Sequence, residues 1–114
     1  MLMDLWYRVS DLDAARAFYT QQLGFEPVYA DEEGGWVRLA RGGVELAIAE
    51  GEFTGEAAGD DVVAALDVAD VKAEAERLRE AGVNVGVVLE IPGTIRLLDV
   101  FDPDGNRVQL TEDI

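Results

Sequence analysis

Asp99-Val100-Phe101-Asp102-Pro103-Asp104-Gly105-Asn106-Arg107-Val108-Gln109-Leu110 is the most informative stretch of this chain. It reads as two strands joined by a tight hairpin. Pro103 presets φ for the second position of a type I turn, and Asp102 can accept a turn hydrogen bond. Gly105 supplies the left-handed residue that turns the chain back. Beyond the turn, Val108 and Leu110 lie on one face and Arg107 and Gln109 on the other, the period of a half-buried strand.

Outward from this hairpin, the same order of elements occurs twice. Ile95 to Phe101 leads into it, after a Pro92-Gly93 turn and an extended stretch from Val83 to Ile91. Before that, Asp70 caps a helix whose apolar stripe is Val71, Ala75, Leu78 and Ala81; Gly82 ends it, and Val62 to Val68 is a strand. The first half answers in kind. Met3 to Val9 is a strand, Ser10-Asp11 caps a helix with Leu12, Ala15, Phe18, Tyr19 and Leu23 at helical spacing, and Gly24 ends it. Phe25 to Ala30 is extended, although Pro27 demotes it to an edge or irregular strand. Turns at Glu33-Gly34-Gly35 and Gly42-Gly43 then frame strands from Trp36 to Arg41 and from Val44 to Ala49. Glu50 to Asp60 is acidic, rich in glycine and without periodicity, so it reads as a linker, with Phe53 as a loop anchor or a pocket wall. The chain is thus expected to be one domain, 1–114, made of a duplicated βαβββ unit: module 1 over about 1–50 and module 2 over about 61–114.

Composition narrows the chemistry. A chain of 114 residues, 49% of them hydrophobic, can bury roughly 65% of its unfolded surface as one globular domain. Cysteine is absent, which removes disulfides and thiolate chemistry and suits the cytoplasm. Histidine is absent too, and with it the commonest general base and transition-metal ligand. No serine can find a histidine partner, and no G-x-S-x-G or phosphate-binding glycine loop is present. The start of the chain has no basic n-region, and no apolar run reaches the ~20 residues of a membrane span. A net charge of -15 repels nucleic acid and anionic membranes, so neither is expected as a partner. That charge serves solubility or provides a field for cationic ligands.

Val9-Ser10-Asp11-Leu12, Phe18-Tyr19, Leu23-Gly24-Phe25, Asp102-Pro103-Asp104-Gly105-Asn106 and Val108-Gln109-Leu110, in this order, resemble the vicinal oxygen chelate (glyoxalase/bleomycin-resistance/dioxygenase) superfamily. The resemblance spans essentially the whole chain. It implies an α+β fold, two βαβββ modules forming a curved, open mixed β-sheet barrel with one helix per module, and a homodimer. It also implies four metal-ligand positions on the concave face, which fall here on Asp4, Glu45, Val63 and Gln109. Val63 has no donor atom and Gln109 only an amide, so no metal is expected. The alternative is a weakly held Mg²⁺ or Ca²⁺ at Asp4, Glu45 and Gln109.

Strand parity puts Trp6, Arg8, Trp36, Arg38, Glu45 and Asp67 on the concave face. The strand before the hairpin reads either way; the cost of burying Asp99 favours placing Asp99 and Phe101 there as well, which completes the candidate ligand-binding set. Tryptophan faces beside carboxylates suit an aromatic or cationic small molecule. A plainer reading pairs Arg8 and Arg38 with those acids and places the tryptophans at a dimer interface. Phe18-Tyr19 reads as core. No catalytic residue is evident beyond Glu45 or Asp67 as a general base, and nothing in the sequence requires an enzyme. The functional expectation is metal-independent binding of such a molecule, as in drug-sequestering members of the superfamily. A divalent-metal-dependent lyase, isomerase or dioxygenase-like enzyme is the alternative, and a module meeting another protein is a third.

Overall fold

A computed structural model describes residues 5–50 and 63–114. The calls on Asp4, Phe53 and the linker after Glu50 therefore lie outside the described residues. Among those described, nine strands and two helices form two mixed sheets that do not close into a barrel. The first sheet holds β1 (Leu5–Val9), β2 (Glu26–Asp31), β3 (Trp36–Arg41) and β4 (Val44–Glu50), in the order β1-β4-β3-β2. The second holds β5 (Ala64–Asp67), β6 (Asn84–Val85), β7 (Leu89–Ile91), β8 (Ile95–Phe101) and β9 (Arg107–Asp113), in the order β5-β9-β8, with β6 and β7 both on the far side of β8. In each sheet the first strand runs parallel to the last and the other pairs are antiparallel. The duplicated unit is thus visible in the strand order itself.

Alternation decides which face is buried. Tyr7, Val9, Val37, Leu39, Leu46 and Ile48 pack beneath α1 (Leu12–Ala17), and Ala64, Leu66, Leu98, Val100, Val108 and Leu110 beneath α2 (Val71–Glu80); all belong to one apolar core. Each helix begins alike. Asp11 and Asp70 accept the N–H of Ala14 and Ala73 at 3.1 and 3.0 Å, satisfying a first-turn donor. A second carboxylate reaches in from the adjoining sheet: Glu50 accepts the Leu12 N–H at 2.7 Å and Glu112 that of Val71 at 2.9 Å. Negative charge at a helix N-terminus is also favoured by the helix dipole.

Two elements depart from expectation. The first helix does not finish as an α-helix; Phe18–Gln22 winds as a π-helical turn. The Thr20 hydroxyl donates back to the Arg16 carbonyl at 2.9 Å, and the loosened carbonyls find other donors. Arg77 of α2 takes that of Gln22 at 2.7 Å, Arg41 takes that of Leu23 at 2.9 Å, and the Phe25 N–H takes that of Tyr19 at 3.0 Å. The stretch from Val83 to Ile91 is broken rather than continuous. Gly86 still donates to the Asp99 carbonyl at 2.9 Å, but its own carbonyl is taken by Arg79 at 2.8 Å, and the ladder stops there until β7. No helix among the described residues is long and apolar enough to cross a membrane.

The hairpin between β8 and β9 turns as its sequence demands. Gly105 has φ of 86° and donates to the Asp102 carbonyl at 2.9 Å. It also joins the two modules. The Asp102 carboxylate, 4% exposed, accepts from the Tyr19 hydroxyl at 2.8 Å, from the backbone of Asp104 and Asn106, and from the Asn106 amide. The Asn106 amide also donates to the Arg8 carbonyl at 2.9 Å, and Tyr7 donates to the Arg107 carbonyl while accepting from the Ala64 N–H. Burial lifts both tyrosine hydroxyls above their ordinary pKa. For Tyr19 the neighbouring Asp102 charge and the hydrogen bond to it add to the rise.

Candidate functional site

The face of each sheet away from the helices is where a ligand can lie, because the opposite face is sealed in the core. On the first sheet this face carries Trp6 and Arg8 from β1, Trp36 and Arg38 from β3, and Glu45 from β4. Their alternating neighbours Tyr7, Val9, Val37, Leu39 and Leu46 are buried. Ala47 and Ala49 lie between them in register, Ala47 beside Trp6 and Arg38, Ala49 beside Arg8 and Trp36. The two tryptophans meet edge to face, with ring centroids 5.4 Å apart and planes at 61°.

A third ring belongs to this cluster. Tyr29 lies 5.1 Å from Trp36, its plane tilted by 43°, and is 55% exposed. It is not in the set named by strand parity. The register of β2 against β3 shifts between Pro27 and Tyr29, and this bulge carries Tyr29 opposite Arg38. The signal was Pro27 inside an extended run, which marks an irregular strand without saying where the irregularity falls.

On the second sheet the same face is polar. Asp99 lies 3.7 Å from the Arg107 guanidinium and accepts the Gln109 amide at 3.2 Å; Asp67 accepts the Thr111 hydroxyl at 2.8 Å. Glu45, back on the first sheet, lies 3.6 Å from Arg38. Three of the expected acids therefore have partners, two of them arginines. Phe101 is partly buried and lines a cavity of about 560 Å³ with Phe18, Val83 and Pro103, between the hairpin and the end of α2. Phe18 and Tyr19 are 8% and 0% exposed and belong to the core. The outer rim of the second sheet is aliphatic, with Leu89 and Ile91 more than half exposed beside Leu97 and Ile95.

A family model described as the Glyoxalase/Bleomycin resistance protein/Dioxygenase superfamily matches residues 3–110. The chain belongs to this superfamily. Among solved structures of the same fold is TnmS3, an antibiotic-binding protein from Streptomyces sp. CB03234, 27% identical, with a TM-score of 0.75 and coverage of 100% of this chain and 98% of that one. The fosfomycin resistance protein FosX from Listeria monocytogenes is 20% identical with a TM-score of 0.78, covering 100% and 93% of the two chains. Lactoylglutathione lyase from Agrobacterium tumefaciens is 22% identical with a TM-score of 0.72, covering 98% and 92%. No curated protein sequence matches the chain.

Of the four metal-ligand positions that the resemblance implies, Glu45, Val63 and Gln109 can be followed into this structure, and Asp4 lies outside the described residues. Val63 offers no donor atom, the Glu45 carboxylate sits beside a guanidinium, and the Gln109 amide is turned toward Asp99. Gln109 lies opposite Ala65 in the β5–β9 register, two residues along from Val63. No group of three or more histidine, cysteine, aspartate or glutamate side chains able to hold a metal occurs among the described residues. A catalytic transition-metal ion normally wants three good donors, and among the described residues Val63, Glu45 and Gln109 do not supply them.

Proposed function

We propose that this superfamily member binds and holds a small aromatic or cationic molecule on its helix-free face, without a metal ion, as a cytoplasmic homodimer. The observation that carries the reading is the contact of two partly exposed tryptophans, Trp6 and Trp36, 5.4 Å apart on a face lined by placed polar groups. Apolar rings give such a ligand its binding area and a few polar groups fix its orientation. The likeness to the antibiotic-binding TnmS3 supports a role of the same kind here. A second copy of the chain has apolar rim to cover at Val87, Leu89 and Ile91, beside the second sheet, each more than half exposed. The acidic surface argues against nucleic acid or an anionic membrane as the partner.

A thermal-shift panel on chelator-treated protein tests the proposal. It sets cationic aromatic drugs, glycopeptides included, against Mn²⁺, Ni²⁺, Zn²⁺ and Mg²⁺. Ligand at ~100 times its dissociation constant stabilises by about 2.7 kcal/mol, several degrees for a domain of this size. The expected result is a shift with drugs and none with metals. A metal shift that disappears in Glu45→Ala overturns the reading in favour of a metal-dependent enzyme, and silence from both points to a protein partner.

A further inference from the structure

We infer that Tyr29 completes the binding surface with Trp36 and Trp6, and that the three rings select a planar, uncharged, ring-fused ligand over a cation; this rests on the helix-free face being the binding site. The first ground is geometric. A cation held by aromatic side chains sits over ring faces, within about 6 Å of each centroid, so rings that share one must stand apart around it. Here Trp36 touches both neighbours, at 5.4 Å to Trp6 and 5.1 Å to Tyr29. The gap a shared cation needs is filled by the rings themselves. What they offer instead is a row of tilted rings, at 61° and 43° to one another, on which a flat ring system can stack against one face and meet the next ring edge-on.

The second ground is charge. Among the described residues, three carboxylates on or facing this surface already have donors. Glu45 has Arg38 at 3.6 Å, and Asp31, opposite Trp36 in register, accepts the Gly34 N–H at 2.8 Å. On the facing sheet Asp99 has Arg107 and Gln109. Glu45 and Asp99 thus already stand beside guanidinium groups, which offset part of their pull on a cationic ligand, whereas a neutral one leaves these pairs in place. Glu26, opposite Ala40 at the start of β2, is exposed, where the pull of a carboxylate is weakened by water and salt. The third ground is position. Tyr29 and Val28, 55% and 54% exposed, lie on the outermost strand of the sheet, and the bulge that puts Tyr29 over Trp36 re-aims a side chain that a regular strand would place elsewhere.

The test uses two tricyclic probes of the same outline, neutral N-methylacridone and cationic N-methylacridinium, titrated calorimetrically into the whole protein between about 0.02 and 0.5 M salt. N-methylacridone is expected to bind with an affinity that changes less than about twofold across that range, and at high salt at least as tightly as the cation. Tyr29→Ala and Tyr29→Leu are expected to weaken it about tenfold, and Tyr29→Phe to restore it. Tyr29 is exposed at an edge, so an unchanged melting temperature in each variant checks that the fold is intact. If the cation binds about tenfold tighter and loses that advantage with salt or in Glu26→Gln, the selectivity is refuted while the binding face stands. Equal affinities in wild type and Tyr29→Leu refute the role of Tyr29, and no heat from either probe removes the binding face along with the inference.

Discussion

The two modules have the same strand order and the same buried pattern, yet their outward faces have opposite chemistry. Module 1 shows three touching rings, with Ala47 and Ala49 between them in register. Module 2 shows a network of paired polar groups, Asp99 with Arg107 and Gln109 and Asp67 with Thr111, bordered by aliphatic side chains. The helices differ in the same sense: ten residues of regular α-helix over module 2, against six residues and a π-turn over module 1. The lesson is that the buried face fixes the fold and tolerates little, while the open face can diverge after duplication. The π-turn belongs to the buried side of this account. It directs Tyr19 onto Asp102 of the other module, so the least regular helix is the one that ties the modules together.

The strongest way to break the comparison is to cut that tie. Asp102→Ala strips a buried acceptor from Tyr19, Asn106 and the turn backbone, and should destabilise the chain by about 4 kcal/mol. Both tryptophans belong to module 1, so their fluorescence should report the loss at the same urea concentration as circular dichroism; separate transitions would mean that the modules stand alone. Tyr19→Phe should cost about 1.5–3 kcal/mol by leaving Asp102 Oδ2 with the Asn106 amide as its remaining side-chain donor. It should also alter the alkaline limb. Tyr7 and Tyr19 keep their protons in the fold above the pH at which the unfolded chain loses them. Stability is therefore full below about pH 10 and falls above it, by up to about 1.4 kcal/mol per pH unit for each tyrosine. Tyr19→Phe should roughly halve that slope, as urea titrations between pH 9 and 11 would show.

The outward faces give smaller effects. Trp36→Ala should weaken ligand binding by about 2 kcal/mol, roughly thirtyfold, whereas Leu89→Ala on the rim of module 2 should cost less than about 0.5 kcal/mol. The reverse order, measured calorimetrically, would move the site to module 2. The smallest effect concerns the first helix, where the Arg16 Nε is buried without a hydrogen-bond partner. Arg16→Met should raise stability by up to about 1 kcal/mol in thermal denaturation, since it removes an unsatisfied polar atom and keeps the stem.

How far the sequence could be read follows the same division. Both buried faces were legible, because burial alternates in β3 and β9 and their buried positions, Val37, Leu39, Val108 and Leu110, all carry apolar side chains. Caps and turns were legible through Asp11, Asp70 and Gly105, whose chemistry acts over three or four residues. What could not be read acts through space or through register. Glu50 and Glu112 cap helices 38 and 41 residues away in sequence, and Asp102 hides its most distant partner, Tyr19, 83 residues back. The bulge before Tyr29 breaks the parity from which the aromatic face was inferred. The pairing of Asp99 with Arg107, both on one hairpin, needed the register of β8 against β9.

The central claim is that the aromatic face of module 1 holds a ligand and returns it unchanged. Native mass spectrometry with the compound that gives the largest thermal shift tests it directly, since one spectrum reports assembly, occupancy and ligand mass. The account predicts a two-chain complex whose bound compound keeps its original mass after prolonged incubation, and whose Trp36→Ala form is largely empty. A bound or released species of altered mass would contradict it, because the chain would then be an enzyme.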